Sequence, residues 1–117
     1  MKALGRHLIV EMWDCEPELL NDARLLEQAL RDTVEAVDGT LLDVRVIEFP
    51  VHGVTGVAII SESHVAVHTW PEHGYAAVDI FTCNLEADSQ AGIEAMSKHF
   101  MPGRTQVMEV RRGFIPG

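Results

Sequence analysis

The stretch ISESHVAVHTWPEHGYAAVDIFTC, residues 60–83, decides the fold because it places two strand patterns around one tight turn. Residues 64–70 and 75–83 are rich in the β-branched and aromatic side chains that favour strands. Residues 71–74, between them, have the Pro, Gly and polar composition of a turn. We therefore predict an antiparallel hairpin in which paired residue numbers sum to about 145.

This register predicts which reactive side chains of the hairpin meet. Ser63 falls opposite Thr82 and next to Cys83, and opposed residues on antiparallel strands lie roughly 5 Å apart. His68 follows Ser63 by about 16 Å of extended strand and points to the opposite face. A second copy of the chain is therefore the simplest source of a His68 that cooperates with Ser63.

The histidines and cysteines do not form a metal motif. On a strand, His64 and His68 are about 13 Å apart, which is too far for both to bind one ion. Cys15 and Cys83 are the two cysteines of the chain, too few for a disulfide framework or a four-thiolate zinc site. We predict no metal, and in a reducing compartment both cysteines are expected to be thiols.

The flanking sequence extends the hairpin into an α+β domain over residues 1–117. Apolar patterns predict four further strands, over residues 7–13, 41–49, 54–61 and 104–112. They predict two helices, over residues 16–37 and from 88 to about 101. Leu42, Val44 and Val46 are expected on one face of their strand. The inward residues of the helices are predicted to be Leu19, Ala23, Leu26, Leu30, Val34 and Val37, and Ile93, Met96 and Phe100.

The order of these elements predicts a two-layer sandwich, an antiparallel sheet with both helices on one face. The other face of the sheet would then be bare. A bare apolar face on a small domain favours an oligomer interface. We therefore predict a homodimer that packs sheet against sheet, in a four-layer α/β/β/α arrangement.

Charge and hydropathy limit the partners and the location. The net charge of −9 argues against nucleic acid, whose binders usually carry basic patches. The apolar runs are too short to cross a bilayer, and the acidic N-terminal segment is unlike a signal peptide. We expect a cytoplasmic protein that acts on a small molecule, without nucleic-acid or membrane partners.

Several motifs resemble the bacterial and archaeal type of S-adenosylmethionine decarboxylase. They are SESHVAVHTWPE at 61–72, GYAAVDIFTC at 74–83, MKALGRHLIVE at 1–11 and HGVTGV at 52–57. The resemblance implies a proenzyme that cuts itself between Glu62 and Ser63, into a β chain, 1–62, and an α chain, 63–117. The Ser63 hydroxyl would attack the Glu62 carbonyl, and the resulting ester would yield a pyruvoyl group at the new N-terminus.

The pyruvoyl group is the cofactor that the resemblance implies. Its carbonyl would form a Schiff base with the substrate amine and absorb the electron density released with carbon dioxide, as pyridoxal phosphate does elsewhere. Serine suits the precursor because its β-oxygen can first attack and later leave. Cys83 matches the family's donor of a proton to carbon, and His68 matches a histidine that assists processing. Thr55 stands where the family usually has a serine whose hydroxyl assists processing.

The resemblance also implies substrate contacts. Glu72 matches a carboxylate that accepts hydrogen bonds from ribose hydroxyls, and Phe49 matches an aromatic residue that stacks on adenine. Glu62 would end the β chain near the substrate. Each of these residues also has a purely structural interpretation, as core or as solvated charge.

The substrate stays open between alternatives because residues 49–53, FPVHG, depart from the commoner family pattern, in which proline comes one position later. The retained Phe49 and Glu72 favour S-adenosylmethionine and a role in spermidine synthesis. A decarboxylase of the same type acting on ornithine or arginine is the second hypothesis. A non-catalytic regulatory relative is the third, and the intact Ser63, His68 and Cys83 count against it.

Overall fold

One antiparallel sheet organises the molecule. The computed structural model describes residues 2–61 and 63–116. Within them, six strands lie in the order β2-β3-β4-β5-β1-β6. The strands are β1 (Lys2–Trp13), β2 (Leu41–Glu48), β3 (Val54–Ile60), β4 (Ser63–Trp70), β5 (Tyr75–Thr82) and β6 (Arg104–Ile115). The helices are α1 (Pro17–Leu20), α2 (Ala23–Ala36) and α3 (Ser89–Phe100). The predicted α+β class and antiparallel sheet are confirmed.

The hairpin of β4 and β5 has the predicted register. His64 pairs with Phe81, and Trp70 pairs with Tyr75. A single 3₁₀ turn, Pro71–His73, joins the strands. Gly74 closes it with a left-handed φ of 61° and an N–H that donates to the Pro71 carbonyl at 3.1 Å. This backbone conformation favours glycine, so the turn chemistry of the sequence sets the register.

The predicted helix over residues 16–37 is divided into α1 and α2. Asp22 separates them in an extended conformation, and its carboxylate accepts hydrogen bonds from the N–H groups of Arg24 and Leu25. An N-cap residue of this kind starts a new helix and cannot continue the one before it. The amide oxygen of Asn21 accepts a hydrogen bond from the Gly53 N–H at 2.9 Å, so the break also anchors a loop.

The core lies between the helices and one face of the sheet. The predicted inward residues of α3, Ile93, Met96 and Phe100, are buried. The buried residues facing them from α2 and the strands include Leu26, Leu30, Val34, Val65, Val67, Val78 and Ile80. Leu42 is a correction to the prediction, since it is 64% exposed. A register shift between Leu41 and Asp43 turns it outward, and Leu41 packs against the core instead.

The other face of the sheet, which we call the open face, is not covered by any described helix. Its residues alternate along the strands with the buried ones and remain half-buried or exposed. They include Thr55, Val57 and Ile59 of β3, His64, Ala66, His68 and Trp70 of β4, Tyr75, Ala77, Asp79 and Phe81 of β5, and His7, Ile9, Glu11 and Trp13 of β1. No helix among the described residues is long and apolar enough to cross a membrane.

Candidate active site

The predicted site residues form two groups at opposite ends of β4. We call the first the serine end. There, half-buried Ser63 begins β4 and exposed Cys83 follows β5, and the hairpin register, continued by one residue, sets Ser63 opposite Thr82. Cys83 lines a pocket of about 250 Å³ together with Leu4, Gly5, Phe81, Arg112 and Gly113. Glu62 lies outside the described residues.

The second group, which we call the histidine end, brings four predicted residues together. Phe49, Thr55, His68 and Glu72 line one pocket of about 330 Å³, with His52, Thr69 and Trp70. Thr55 on β3 pairs directly with His68 on β4. The Thr55 hydroxyl and the His68 Nδ1 share a hydrogen bond of 3.1 Å. The two residues expected to assist processing are therefore in contact.

Thr69 fixes the floor of this pocket. Its hydroxyl accepts a hydrogen bond from the Val54 N–H and donates one to the Leu20 carbonyl, both at 2.8 Å. Thr69 is only 6% exposed, and buried polar groups of this kind need partners. The side chain thus ties β4 to the start of β3 and to α1, beneath the pocket.

The sequence did not predict the contact between His52 and Glu72 in this pocket. The Nε2 of His52 lies 2.7 Å from the Oε2 of Glu72. The backbone N–H of Glu72 itself and then the His52 side chain hold the pKa of the Glu72 carboxyl below its usual range. Glu72 is therefore ionised at neutral pH. The unusual pattern at residues 49–53 was the one signal pointing to this loop, and nothing in it singled out His52.

The serine end and the histidine end do not meet within one chain. Ser63 and His68 are separated by about 16 Å of extended strand. They also lie on opposite faces, because His68 faces the open side and Ser63 has the parity of the buried Val65 and Val67. As predicted from the sequence, one chain does not bring Ser63 and His68 together.

The centre of the open face carries two hydrogen-bonded pairs that the sequence did not reveal. The His7 Nε2 lies 2.9 Å from Asp79 Oδ1, and the Tyr75 hydroxyl donates to Glu11 at 2.6 Å. Burial, followed by the contact with Glu11, raises the pKa of Tyr75 to about 12. Among the described residues, no group of three or more His, Cys, Asp or Glu side chains is arranged to hold a metal ion.

Comparison with known proteins agrees with this architecture. A model of the family described as S-adenosylmethionine decarboxylase matches residues 6–113. The chain is 48% identical over 116 residues to the S-adenosylmethionine decarboxylase proenzyme of Thermomicrobium roseum, covering 98% of each. It is 45% identical over 115 residues to the proenzyme of that name from Methanococcus maripaludis, covering 98% of this chain and 94% of the relative.

A solved structure shares the whole fold. The crystal structure of the adenosylmethionine decarboxylase from Aquifex aeolicus matches with a TM-score of 0.91 and 27% identity, over 99% of this chain and 96% of that one. The two-layer α+β architecture is thus that of a solved decarboxylase. By its sequence, this chain belongs to the S-adenosylmethionine decarboxylase family.

Proposed function

We propose that this protein is a pyruvoyl-dependent S-adenosylmethionine decarboxylase that supplies aminopropyl groups for spermidine synthesis. It acts in the cytoplasm, after cutting itself between Glu62 and Ser63. The observation that carries the proposal is the match of nearly the whole chain to relatives named S-adenosylmethionine decarboxylase proenzyme. No observation favours ornithine, arginine or a purely regulatory role.

The position of the cut supports self-processing. It lies between β3 and β4, so both strands can keep their pairing when the backbone opens. The β chain, 1–62, contributes β1, β2 and β3, and the α chain, 63–117, contributes β4, β5 and β6. Because β1 lies between β5 and β6 in the sheet, the two products stay interleaved after cleavage.

The serine end fits a pyruvoyl group formed from Ser63. That residue is half-buried at the start of β4, a strand held on both sides by β3 and β5. When formed, the group supplies the electron sink for decarboxylation. Cys83 then gives a proton to the substrate carbon, a task that a thiol can perform near neutral pH.

The histidine end supplies processing and substrate contacts. The hydrogen bond between the Thr55 hydroxyl and His68 Nδ1 orients the ring, so that Nε2 is the atom available to move a proton. Phe49, which is 51% exposed, offers a ring face for adenine. The ionised Glu72 accepts hydrogen bonds from the ribose hydroxyls. Glu62 contributes at the end of the β chain, near the substrate.

A homodimer completes the site. Packing the open faces of two copies about a two-fold axis would bring the serine end of one copy to the histidine end of the other at the margin of the interface, because Ser63 is the first residue of β4. Exposed Ile59 and Trp70 provide apolar contact area. Several polar groups of this face already form pairs, as in Tyr75 with Glu11 and His7 with Asp79, which lowers the cost of covering them.

Intact mass spectrometry under denaturing conditions tests the processing. We expect two fragments split between residues 62 and 63, with no free amine on the second, and a single uncut chain for Ser63→Ala. The cut enzyme should release carbon dioxide from S-adenosylmethionine faster than from ornithine or arginine. A wild-type chain that stays whole, or one that prefers a basic amino acid, contradicts the proposal.

Mixed dimers test the shared site. Ser63→Ala and His68→Ala chains are each expected to remain uncut when expressed alone. When they are expressed together, His68 from the first chain meets Ser63 of the second, and the His68→Ala chain should be cut. A His68→Ala chain that remains whole in the mixture would show that each site is built within one chain.

A further inference from the structure

The histidine end contains a contact between an imidazole and a carboxylate that the proposed reaction does not use. His52 Nε2 and Glu72 Oε2 are 2.7 Å apart, and their side chains are 41% and 37% exposed. Both residues line the pocket with Phe49 and His68. A half-exposed pair of this kind contributes little to stability, so its position in the pocket calls for another explanation.

We propose that His52 is a positioning residue that sets specificity for ribose, by aiming the Glu72 carboxylate at a pair of neighbouring hydroxyls. This inference rests on the proposed decarboxylase function, because Glu72 is the ribose acceptor there. The ring of His52 donates from Nε2 to Oε2 of Glu72. It acts on the substrate only through that carboxylate.

The loop that carries His52 is held in place from two sides. Its ends are joined by a hydrogen bond from the Phe49 N–H to the Gly53 carbonyl at 3.0 Å. The Gly53 N–H donates to the side chain of Asn21 at 2.9 Å. Gly53 has a φ of 99°, and a Cβ there would come within 3.0 Å of the Thr69 carbonyl oxygen. The close approach of this loop to β4 delivers the imidazole to the pocket.

Glu72 is held from the opposite side. It lies in the 3₁₀ turn that the Gly74 N–H closes on the Pro71 carbonyl. An ionised carboxylate offers about four lone-pair positions to donors. The backbone N–H of Glu72 itself occupies one and His52 another, so that two positions remain for the hydroxyls of a ribose. Without His52, the backbone N–H alone holds the carboxylate, which can then rotate away from this arrangement.

A neutral nucleoside pair tests the inference separately from catalysis. The probes are 5′-methylthioadenosine and its 2′-deoxy analogue, with binding measured by calorimetry. The wild-type protein should prefer the ribose form by about 10- to 100-fold, the range expected for a hydrogen bond to a charged group. His52→Ala should reduce this preference to about threefold or less. His52→Gln, which keeps an N–H donor, should retain most of it.

His73→Ala is the matched control. His73 is exposed and next to Glu72 in sequence. Its electrostatic effect on the Glu72 carboxyl is smaller than that of His52, and among the described residues no hydrogen bond or ion pair joins it to the His52–Glu72 pair. His73→Ala should retain the full ribose preference.

In steady-state kinetics, His52→Ala should raise KM for S-adenosylmethionine about tenfold while kcat changes less than about twofold.

The outcomes separate the two proposals. Nucleoside binding is measured separately from cleavage and turnover, so the effect of His52→Ala can also be measured in a chain that neither cuts nor decarboxylates. If the wild type is cut and active but His52→Ala keeps the ribose preference and KM, the inference about His52 is overturned and the proposed function stands. Loss of the preference in His73→Ala as well would also overturn it, because the effect would then not be specific to the contact between His52 and Glu72.

Discussion

Along β4, neighbouring residues belong to two different environments. Val65, Val67 and Thr69 point toward the helices and are at most 6% exposed. His64 and His68 point to the open face and keep contact with solvent. The helix-covered face holds apolar groups and satisfied hydrogen bonds, whereas the open face holds titratable and aromatic groups. A substitution on the first should therefore affect folding, and one on the second should affect chemistry.

Two phenylalanines give the largest contrast. Phe100 is fully buried beneath the sheet and Phe49 is 51% exposed at the pocket. Phe100→Ala should lower the free energy of unfolding by about 3–5 kcal/mol. Phe49→Ala should lower it by less than about 1 kcal/mol and should raise KM instead. Urea unfolding in the uncut Ser63→Ala background measures both losses of stability, and steady-state kinetics of the cut Phe49→Ala enzyme measures KM. Equal losses of stability would contradict the contrast between the buried and the exposed phenylalanine.

Two cysteines give the next contrast. Burial, with a smaller contribution from Asp14, raises the pKa of Cys15 to about 11, whereas Cys83 is exposed. At pH 8, native protein should react with iodoacetamide at Cys83 at least about 100-fold faster than at Cys15, equivalent to about 2.7 kcal/mol. Peptide mapping by mass spectrometry gives both rates. The difference should disappear in denaturant, and similar native rates would argue against the buried position of Cys15.

Two threonines give a smaller effect on stability. Thr69→Val leaves the Val54 N–H and the Leu20 carbonyl without their buried partner, at a cost of about 1–3 kcal/mol. Thr55→Val should change stability by about 0.5 kcal/mol or less but slow self-cleavage, because the contact with His68 is lost. Thermal melting and the rate of cleavage separate the two, and Thr55→Ser is the control, since it keeps the hydroxyl. Normal cleavage by Thr55→Val would remove Thr55 from the processing machinery.

A substitution on the outer surface of the helices should have the smallest effect on the free energy of unfolding. Hydrogen bonds from His99 and then from Gln28 lower the pKa of Asp32 below 3.8. Asp32 therefore takes up a proton more readily in the unfolded chain than in the folded chain. The stabilising effect is complete above pH 3.8 and is lost as pH falls through the folded pKa. Asp32→Asn should cost at most about 1 kcal/mol at pH 7, and the difference from wild type should shrink in urea titrations toward pH 3. If the difference in unfolding free energy instead grows as the pH falls toward 3, the pKa of Asp32 is not lowered by folding.

The parts of the fold that could be predicted are those set by local sequence. The turn at Pro71 and Gly74 fixed the hairpin, and so the register of β4 with β5 followed correctly. The break between α1 and α2 did not follow, because the apolar spacing continues through it. What decides the break is a cap at Asp22 and a contact from Asn21 to Gly53 across 32 positions. The outward turn of Leu42 likewise depends on a register shift against β3.

The site shows the same limit. The motifs singled out Thr55, His68, Phe49 and Glu72, and the structure gathers these four residues around one pocket. The partner of Glu72 escaped notice because His52 is 20 positions away in sequence. No periodic pattern connects a loop before β3 with a turn after β4. Such contacts depend on tertiary structure, whereas the reactive residues are recognisable by type and spacing.

In the proposed self-cut enzyme, β1 of one product lies between β5 and β6 of the other, so neither product can form the sheet again by itself. The uncut chain folds as one molecule, and each strand of the described sheet pairs with another strand of the same chain. After cleavage, unfolding releases two separate polypeptides, and recovery becomes an encounter between them that slows as the solution is diluted. After the cut, the strands of one sheet would belong to two polypeptides. The lifetime of the mature enzyme would then depend on how rarely it unfolds completely.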